Sequence, residues 1–271
     1  MIIGKKEYDF NRHTHVMGIL NVTPDSFSDG GCYNDVEKAC IRVEEMIAQG
    51  ADFIDIGAES TRPGHSVVEE AEELERLLPV IERIKREYEI PLSLDTYKGN
   101  VANYGIQAGV DLINDVWGLQ HDEVMGTVIA QSGIPCVLMH NRKNGHYTDF
   151  MVDVTEDMRT LIHRAKETGI VKDQIILDVG IGFAKTYEQN LTILNRLGEF
   201  SQFGYPLLLG TSRKSVIYRT LQSVPTDCLE GTLATTVCAV MNRCGLVRVH
   251  DIAENVRTIR MAEAIREESG T

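Results

Sequence analysis

Met17-Gly18-Ile19-Leu20-Asn21-Val22-Thr23-Pro24-Asp25-Ser26-Phe27-Ser28-Asp29-Gly30-Gly31 is an apolar run that ends at Asn21 and passes directly into turn-formers, hydroxyls and carboxylates. A buried strand delivering a polar loop has this form. The form recurs along the chain. Apolar, β-rich runs at 15–22, 53–58, 91–96, 112–117, 134–140, 175–180, 206–212 and 246–251 alternate with helix candidates, whose periodicity is clearest at 36–49, 67–88, 154–168 and 252–268. Gly50, Gly109, Gly133, Gly169 and Gly245 stand where helices are expected to stop and the chain to turn into the next strand. Strands that are apolar on both faces and separated by helices imply a parallel sheet. Eight such units in 271 residues predict an α/β fold closed as a single (β/α)8 TIM barrel, one domain over residues 1–271, preceded by a short N-terminal strand or hairpin. An open doubly wound sheet would need a glycine-rich dinucleotide fingerprint, and none is present.

Composition narrows the function classes. A formal net charge of −13 disfavours nucleic acid or an anionic membrane as a general partner, so an anionic substrate must meet a local cluster of bases. The first ten residues lack the apolar core of a signal peptide, and no later segment approaches the roughly 20 apolar residues of a membrane span. The expectation is a soluble, cytoplasmic protein. Cys32, Cys40, Cys136, Cys228, Cys238 and Cys244 form no C-x-x-C pair, and several fall in apolar patterns, as buried free thiols do.

In a parallel barrel the carboxyl ends of all strands open on one face, where such enzymes keep their chemistry. Here those ends carry Asn21; Glu59, Ser60, Thr61 and Arg62; Asp95 and Thr96; Asn114 and Asp115; His140; Asp178; Ser212, Arg213 and Lys214; Arg248, His250 and Asp251. Helix caps account for some of the hydroxyls and carboxylates but not for Arg62, Lys214, Arg248 or His250. Arg248 and His250 are two apart on one strand, so both face the barrel interior and together form a receptor for a phosphate or diphosphate. The turn Gly210-Thr211-Ser212-Arg213-Lys214-Ser215 has hydroxyls, cations and backbone N–H groups suited to an anion or a polar ring edge, and it is not a Walker A loop. Asp95, Asn114 and Asp178 end three apolar strands, where a nitrogen-rich heterocycle or a neighbouring cation would satisfy them. His140 reads as a satisfied core or rim histidine rather than a base. No H-E-x-x-H, Cys/His cluster or G-x-S-x-G is present.

Taken together, residues 21–31, Glu59-Ser60-Thr61-Arg62-Pro63-Gly64, Leu94-Asp95-Thr96-Tyr97-Lys98, Ile113-Asn114-Asp115, Gly210–Ser215 and Arg248-Val249-His250-Asp251 closely resemble the dihydropteroate synthases, in order over nearly the whole chain. The resemblance implies condensation of 6-hydroxymethyl-7,8-dihydropterin diphosphate with 4-aminobenzoate, giving 7,8-dihydropteroate and diphosphate in folate biosynthesis. It implies Mg2+ held with the help of Asn21, and a homodimer. Asp95, Asn114 and Asp178 would bind the pterin's amino and ring nitrogens, Lys214 its carbonyl edge, and Arg248 and His250 the phosphates. Thr61, Arg62, Pro63 and Ser212 would border the aminobenzoate, with Phe27 and Asp29 on a closing loop and Phe183 on the loop after Asp178.

The chain departs from the family pattern at that last loop. Asp178-Val179-Gly180-Ile181-Gly182-Phe183-Ala184-Lys185 has Val where the family usually has Pro, and Ala184 where it usually has Gly. Ala resists a positive φ, so either the loop is shifted or the original glycine did not need that conformation. Asn141–Gly145 also differs from the commonest family loop. A corrinoid-linked methyltransferase would explain Asp95, Asn114 and Asp178 but not two cationic loops that want a diphosphate.

Overall fold

The computed structural model describes residues 1–23, 32–59 and 67–268. A small antiparallel hairpin, β1 (Ile2–Ile3) with β2 (Lys6–Glu7), precedes the barrel. The barrel strands are β3 (His15–Asn21), β4 (Phe53–Gly57), β5 (Leu92–Asp95), β6 (Leu112–Asp115), β7 (Cys136–Met139), β8 (Ile175–Asp178), β9 (Leu207–Leu209) and β10 (Leu246–Val249). All pair in parallel, and β10 closes on β3. Each lies inside its expected span and is shortened mainly at the carboxyl end, where polar residues leave the ladder to form turns and caps.

The helices among the described residues are α1 (Cys32–Ala48), α2 (Glu70–Glu87), α3 (Gly99–Ala108), α4 (Glu123–Ser132), α5 (Phe150–Glu167), α6 (Tyr187–Asn195), α7 (Ser215–Thr220), α8 (Leu229–Met241) and α9 (Ile252–Glu267). Side-chain caps come from Asp122, Asp149 and Thr186, each accepting a backbone N–H of the first turn. Val16, Leu20, Ile54, Ile56, Leu94, Val247 and Val249 face outward and pack under this helical ring.

Strand alternation makes the barrel interior a stack of contrasting layers. Met17, Phe53, Leu112, Val137, Ile176, Leu208 and Leu246 form an apolar floor. The hairpin segment plugs it from below with Ile3, Tyr8 and Phe10, the Tyr8 ring lying 4.5 Å from that of Phe53. Two residues further along four of these strands stand Asp55, Asn114, Asp178 and Arg248, with Ser93 of β5 paired beside Asp55, so polarity rises toward the carboxyl ends.

Gly50, Gly109, Gly133 and Gly169 all end helices with φ between +74° and +104°, as expected. Gly245 does not. After α8 the left-handed residue is Arg243, with φ +57°, and Gly245 instead gives room to the plug, since a Cβ there would lie 2.6 Å from Phe10 Cβ. The described cysteines are free thiols and all but Cys238 are buried. Gly245→Ala is expected to cost about 1–3 kcal/mol by overpacking. Urea unfolding will show this, and the loss should shrink in the Phe10→Gly background, which removes the Cβ it meets; an unchanged midpoint would remove the close-packing role.

Candidate active site

Arg248 lies at the centre of the barrel mouth. Its Nε donates to Asp55 Oδ2 at 2.5 Å and its Nη2 to Asp95 Oδ2 at 2.7 Å. Asp55 is fully buried and also accepts from Ser93 Oγ at 2.5 Å and Asn114 Nδ2 at 3.1 Å. One carboxylate therefore binds side chains from β5, β6 and β10. The amide of Asn114 is oriented by that bond, which spends an N–H on Asp55 and leaves the carbonyl oxygen as its acceptor. Sequence alternation placed Arg248 with His250 as a phosphate receptor; the structure also pairs its charge with two acids, which take two of its five N–H donors.

Asp95 is the incomplete member. Its Oδ1 is buried and has no hydrogen-bond partner among the described residues. Burial raises its pKa to about 7 against the opposing pull of Arg248. Asp178, also buried, accepts from Gly180 N at 2.7 Å, and burial raises its pKa while Lys214 lowers it. Lys214 donates to Ile181 O at 2.6 Å and lies 4.8 Å from the Phe183 ring centre. Burial pulls its ammonium down to about 8 despite the nearby Asp178. Tyr97, Val116 and Met139, with Trp117 and Phe183 packed against them, make an apolar rim beside these polar groups. The mouth thus offers acceptors on Asp95, Asn114 and Asp178, a donor on Lys214 and a flat apolar wall.

The loop after β8 takes neither course expected of Ala184, a shift or a path free of positive φ at this position. Ala184 has φ +47°, alongside +68° at Gly180 and +84° at Gly182. This chain therefore keeps a left-handed position and places an alanine in it, at a cost on the order of 1 kcal/mol. A Cβ at Gly180 would lie 2.0 Å from His140 O, so no other residue fits there.

On the next side of the mouth, Ser212 Oγ and His250 Nδ1 are 3.0 Å apart, and Arg213 donates to Asp251 Oδ1 at 2.7 Å. The turn bends at Arg213, φ +59°, before Lys214 opens α7. Asn21 ends β3 with its side chain exposed. Among the described residues no three of His, Cys, Asp and Glu gather into a metal cage. A single amide oxygen at a strand end fits Mg2+, which keeps waters and rides on substrate phosphates. Phe27, Asp29, Thr61, Arg62 and Pro63 lie outside the described residues.

His140 is buried and satisfied, with Nε2 2.9 Å from Asp157 Oδ2 and Nδ1 2.9 Å from Lys185 Nζ. Burial lowers its pKa to about 4, so it is neutral at physiological pH. Three contributors escaped sequence reasoning. Asp55 sits mid-strand in Phe53-Ile54-Asp55-Ile56, where a lone acid among apolar residues was the available signal. Ser93 gave none. Lys98 hides in a strand-to-helix turn and bonds Glu59 Oε2 at 2.6 Å, Glu73 Oε2 at 2.5 Å and Val68 O at 2.5 Å.

Comparison with known proteins agrees with this geometry. Residues 17–250 match the family model described as pterin binding enzyme. The chain is 51% identical over 266 residues to the dihydropteroate synthase of Clostridium beijerinckii, covering 98% of this chain and 99% of that protein. It is 49% identical to that of Bacillus subtilis, over 96% and 92% of the two. Among solved structures, a Clostridium difficile dihydropteroate synthase determined in the presence of pteroic acid superimposes with a TM-score of 0.94 at 47% identity, covering 97% of this chain and all (100%) of that one. The Xanthomonas albilineans enzyme with 4-aminobenzoic acid gives a TM-score of 0.89 at 38% identity, over 94% of each chain.

Asp55→Ala is expected to cost about 3 kcal/mol in urea unfolding, the low end for breaking a buried ion pair, because Arg248 keeps Asp95. A change below about 1 kcal/mol would deny Asp55 its central role. His140 adds an acid-side dependence. Its folded pKa of about 4 lies below the ordinary 6.5, so the unfolded chain binds the proton first as pH falls. Its contribution is complete above pH 6.5 and is lost toward pH 4, at up to about 1.4 kcal/mol per unit. Unfolding free energies measured across that window should fall less steeply in His140→Leu than in the unsubstituted protein; parallel slopes would contradict the neutral imidazole.

Proposed function

The chain belongs to the dihydropteroate synthase family of pterin-binding enzymes, transferases of folate biosynthesis, and we propose how its own residues condense 6-hydroxymethyl-7,8-dihydropterin diphosphate with 4-aminobenzoate. The observation that carries the assignment of residues is the buried oxygen Asp95 Oδ1, which has no partner among the described residues and stands with Asn114, Asp178 and Lys214. A pterin's amino and ring N–H groups are the donors such acceptors can take, and its carbonyl can accept one of the hydrogens Lys214 does not give to Ile181 O. Phe183 and Met139 supply the wall against which a flat ring packs.

In the reaction the bond from the pterin methylene to the diphosphate oxygen breaks, its electron pair leaving on oxygen. The amine nitrogen of 4-aminobenzoate attacks the methylene carbon and then loses a proton. Asp95 and Asp178 favour the electron-poor, cationic pterin that forms as the diphosphate departs. Arg248, with N–H donors beyond those given to Asp55 and Asp95, and His250, set by Ser212, neutralise charge on the leaving phosphates. Mg2+, held in part by Asn21, would supply further neutralisation of that charge when bound. By the motif resemblance Ser212, with Thr61, Arg62 and Pro63, would contact the 4-aminobenzoate, and Phe27 and Asp29 would act on the same substrate side. These roles rest on the motif resemblance and on the placement of the described members around one mouth.

The proposal includes a homodimer in the cytoplasm, acting as one domain. The exposed Val237, Met241, Met261 and Ile265 on α8 and α9 provide apolar surface for a second copy. Among the described residues no helix is long and apolar enough to cross a membrane.

With Mg2+ and both substrates, the purified protein is expected to release diphosphate and form dihydropteroate, followed by a coupled diphosphate assay. Lys214→Ala and Arg248→Ala should each lower kcat/KM at least ~10-fold, the worth of one charge-assisted hydrogen bond. Near-normal kinetics in both variants would overturn the anion and pterin assignments.

A further inference from the structure

The loop 178–185 shapes the mouth, since it carries Asp178 and Phe183 and its Ile181 carbonyl holds Lys214. What fixes the loop is not in the mouth. Lys185 Nζ donates to Gly180 O at 2.9 Å and Phe183 O at 3.1 Å, and it lies 2.9 Å from His140 Nδ1. An ammonium has three hydrogens, and here three acceptors receive them. The tautomer agrees: the Asp157 carboxylate at 2.9 Å claims the Nε2–H of His140, which leaves Nδ1 as an acceptor. Lys185 therefore has no hydrogen left for a substrate, and its carbonyl partners belong to the segment that passes the pterin site.

The backbone around it makes this tie necessary. Gly180, Gly182 and Ala184 all adopt positive φ within five residues, a run that neither helix nor sheet hydrogen bonds can hold. With carbonyls of Gly180 and Phe183 turned inward onto Lys185, the Gly180 N–H is presented to Asp178 Oδ1 at 2.7 Å, and Ile181 O is presented to Lys214 at 2.6 Å. The loop is anchored at its middle by Asn190, whose Oδ1 accepts from Gly182 N at 2.6 Å.

We propose that Lys185, set by the Asp157–His140 pair, is a positioning residue that organises the pterin half of the site by holding the 178–185 loop, and through it Asp178 and Lys214, in their binding arrangement. The inference rests on the reading that a pterin occupies the barrel mouth. Burial lowers the Lys185 pKa to about 7, while Asp178 and Asp157 pull it up and Lys214 and Arg142 pull it down. The three acceptors favour the ammonium against that burial.

The test separates the two substrates. Lys185→Ala is expected to raise KM for the pterin diphosphate at least ~10-fold while KM for 4-aminobenzoate changes less than about 2-fold, as loss of ground-state organisation on one side of the site predicts. Propylammonium, which matches the deleted part of the side chain, should restore pterin affinity, and 1-propanol should not. A pterin KM unchanged in Lys185→Ala, or both KM values rising together with no amine rescue, would overturn the proposal. Should Lys185→Ala fail to fold, His140→Leu removes one acceptor and should give the same selective rise at about 3-fold; equal KM values there overturn it as well. An unsubstituted protein that turns over normally beside unaffected variants removes this inference alone, whereas an inactive unsubstituted protein removes the pterin reading beneath it.

Discussion

The two ion pairs of Arg248, with Asp55 and with Asp95, are the constraint on which the site depends. A guanidinium so enclosed needs acids at fixed places, and acids so buried need donors. The solution joins β10 to β4 and β5 across the barrel interior and leaves one oxygen, Asp95 Oδ1, without a donor among the described residues. That vacancy is therefore a consequence of how the cluster is balanced. Among the described residues Asp55, Asp95 and Asp178 face Arg248 and Lys214, an environment that favours a ligand bringing N–H donors and positive character.

Stability and chemistry are divided by height in the same barrel. Below, aliphatic and aromatic residues fill the floor and the N-terminal hairpin seals it. Above, the same alternation delivers carboxylates, amides and cations. The floor makes the upper geometry possible, because inward-facing charges can be held at fixed distances only by strands whose register is already set. Glycines serve both levels for different reasons: Gly245 admits Phe10 to the floor, and Gly180 lets the loop pass under His140 O.

The 178–185 loop shows how a local rule yields to its surroundings. Alanine is a poor choice for φ +47°, yet Ala184 takes it. Two glycines, the Lys185 ammonium and Asn190 set the path of the segment, and one alanine is not enough to divert it. The Pro-to-Val and Gly-to-Ala departures from the family pattern are thus absorbed without moving the loop out of the left-handed region.

The strand and helix order was legible in the chain because short β-rich runs, apolar on both faces, alternate with helical periodicity, and because glycines mark several of the helix ends. The polar residues at each strand end could be grouped for the same reason, since a parallel barrel puts them on one face. What those residues bond could not be read. Arg248 is 193 positions from Asp55 and 153 from Asp95 in the chain, and no local pattern records a contact made across a closed barrel. Sequence alone determined that acids, amides and bases would meet at one mouth. Only the tertiary structure decided that Arg248 would be held by two carboxylates, that Asp55 would orient Asn114, and that Lys185 would face its own loop, because partners so distant in the chain are chosen by register and burial.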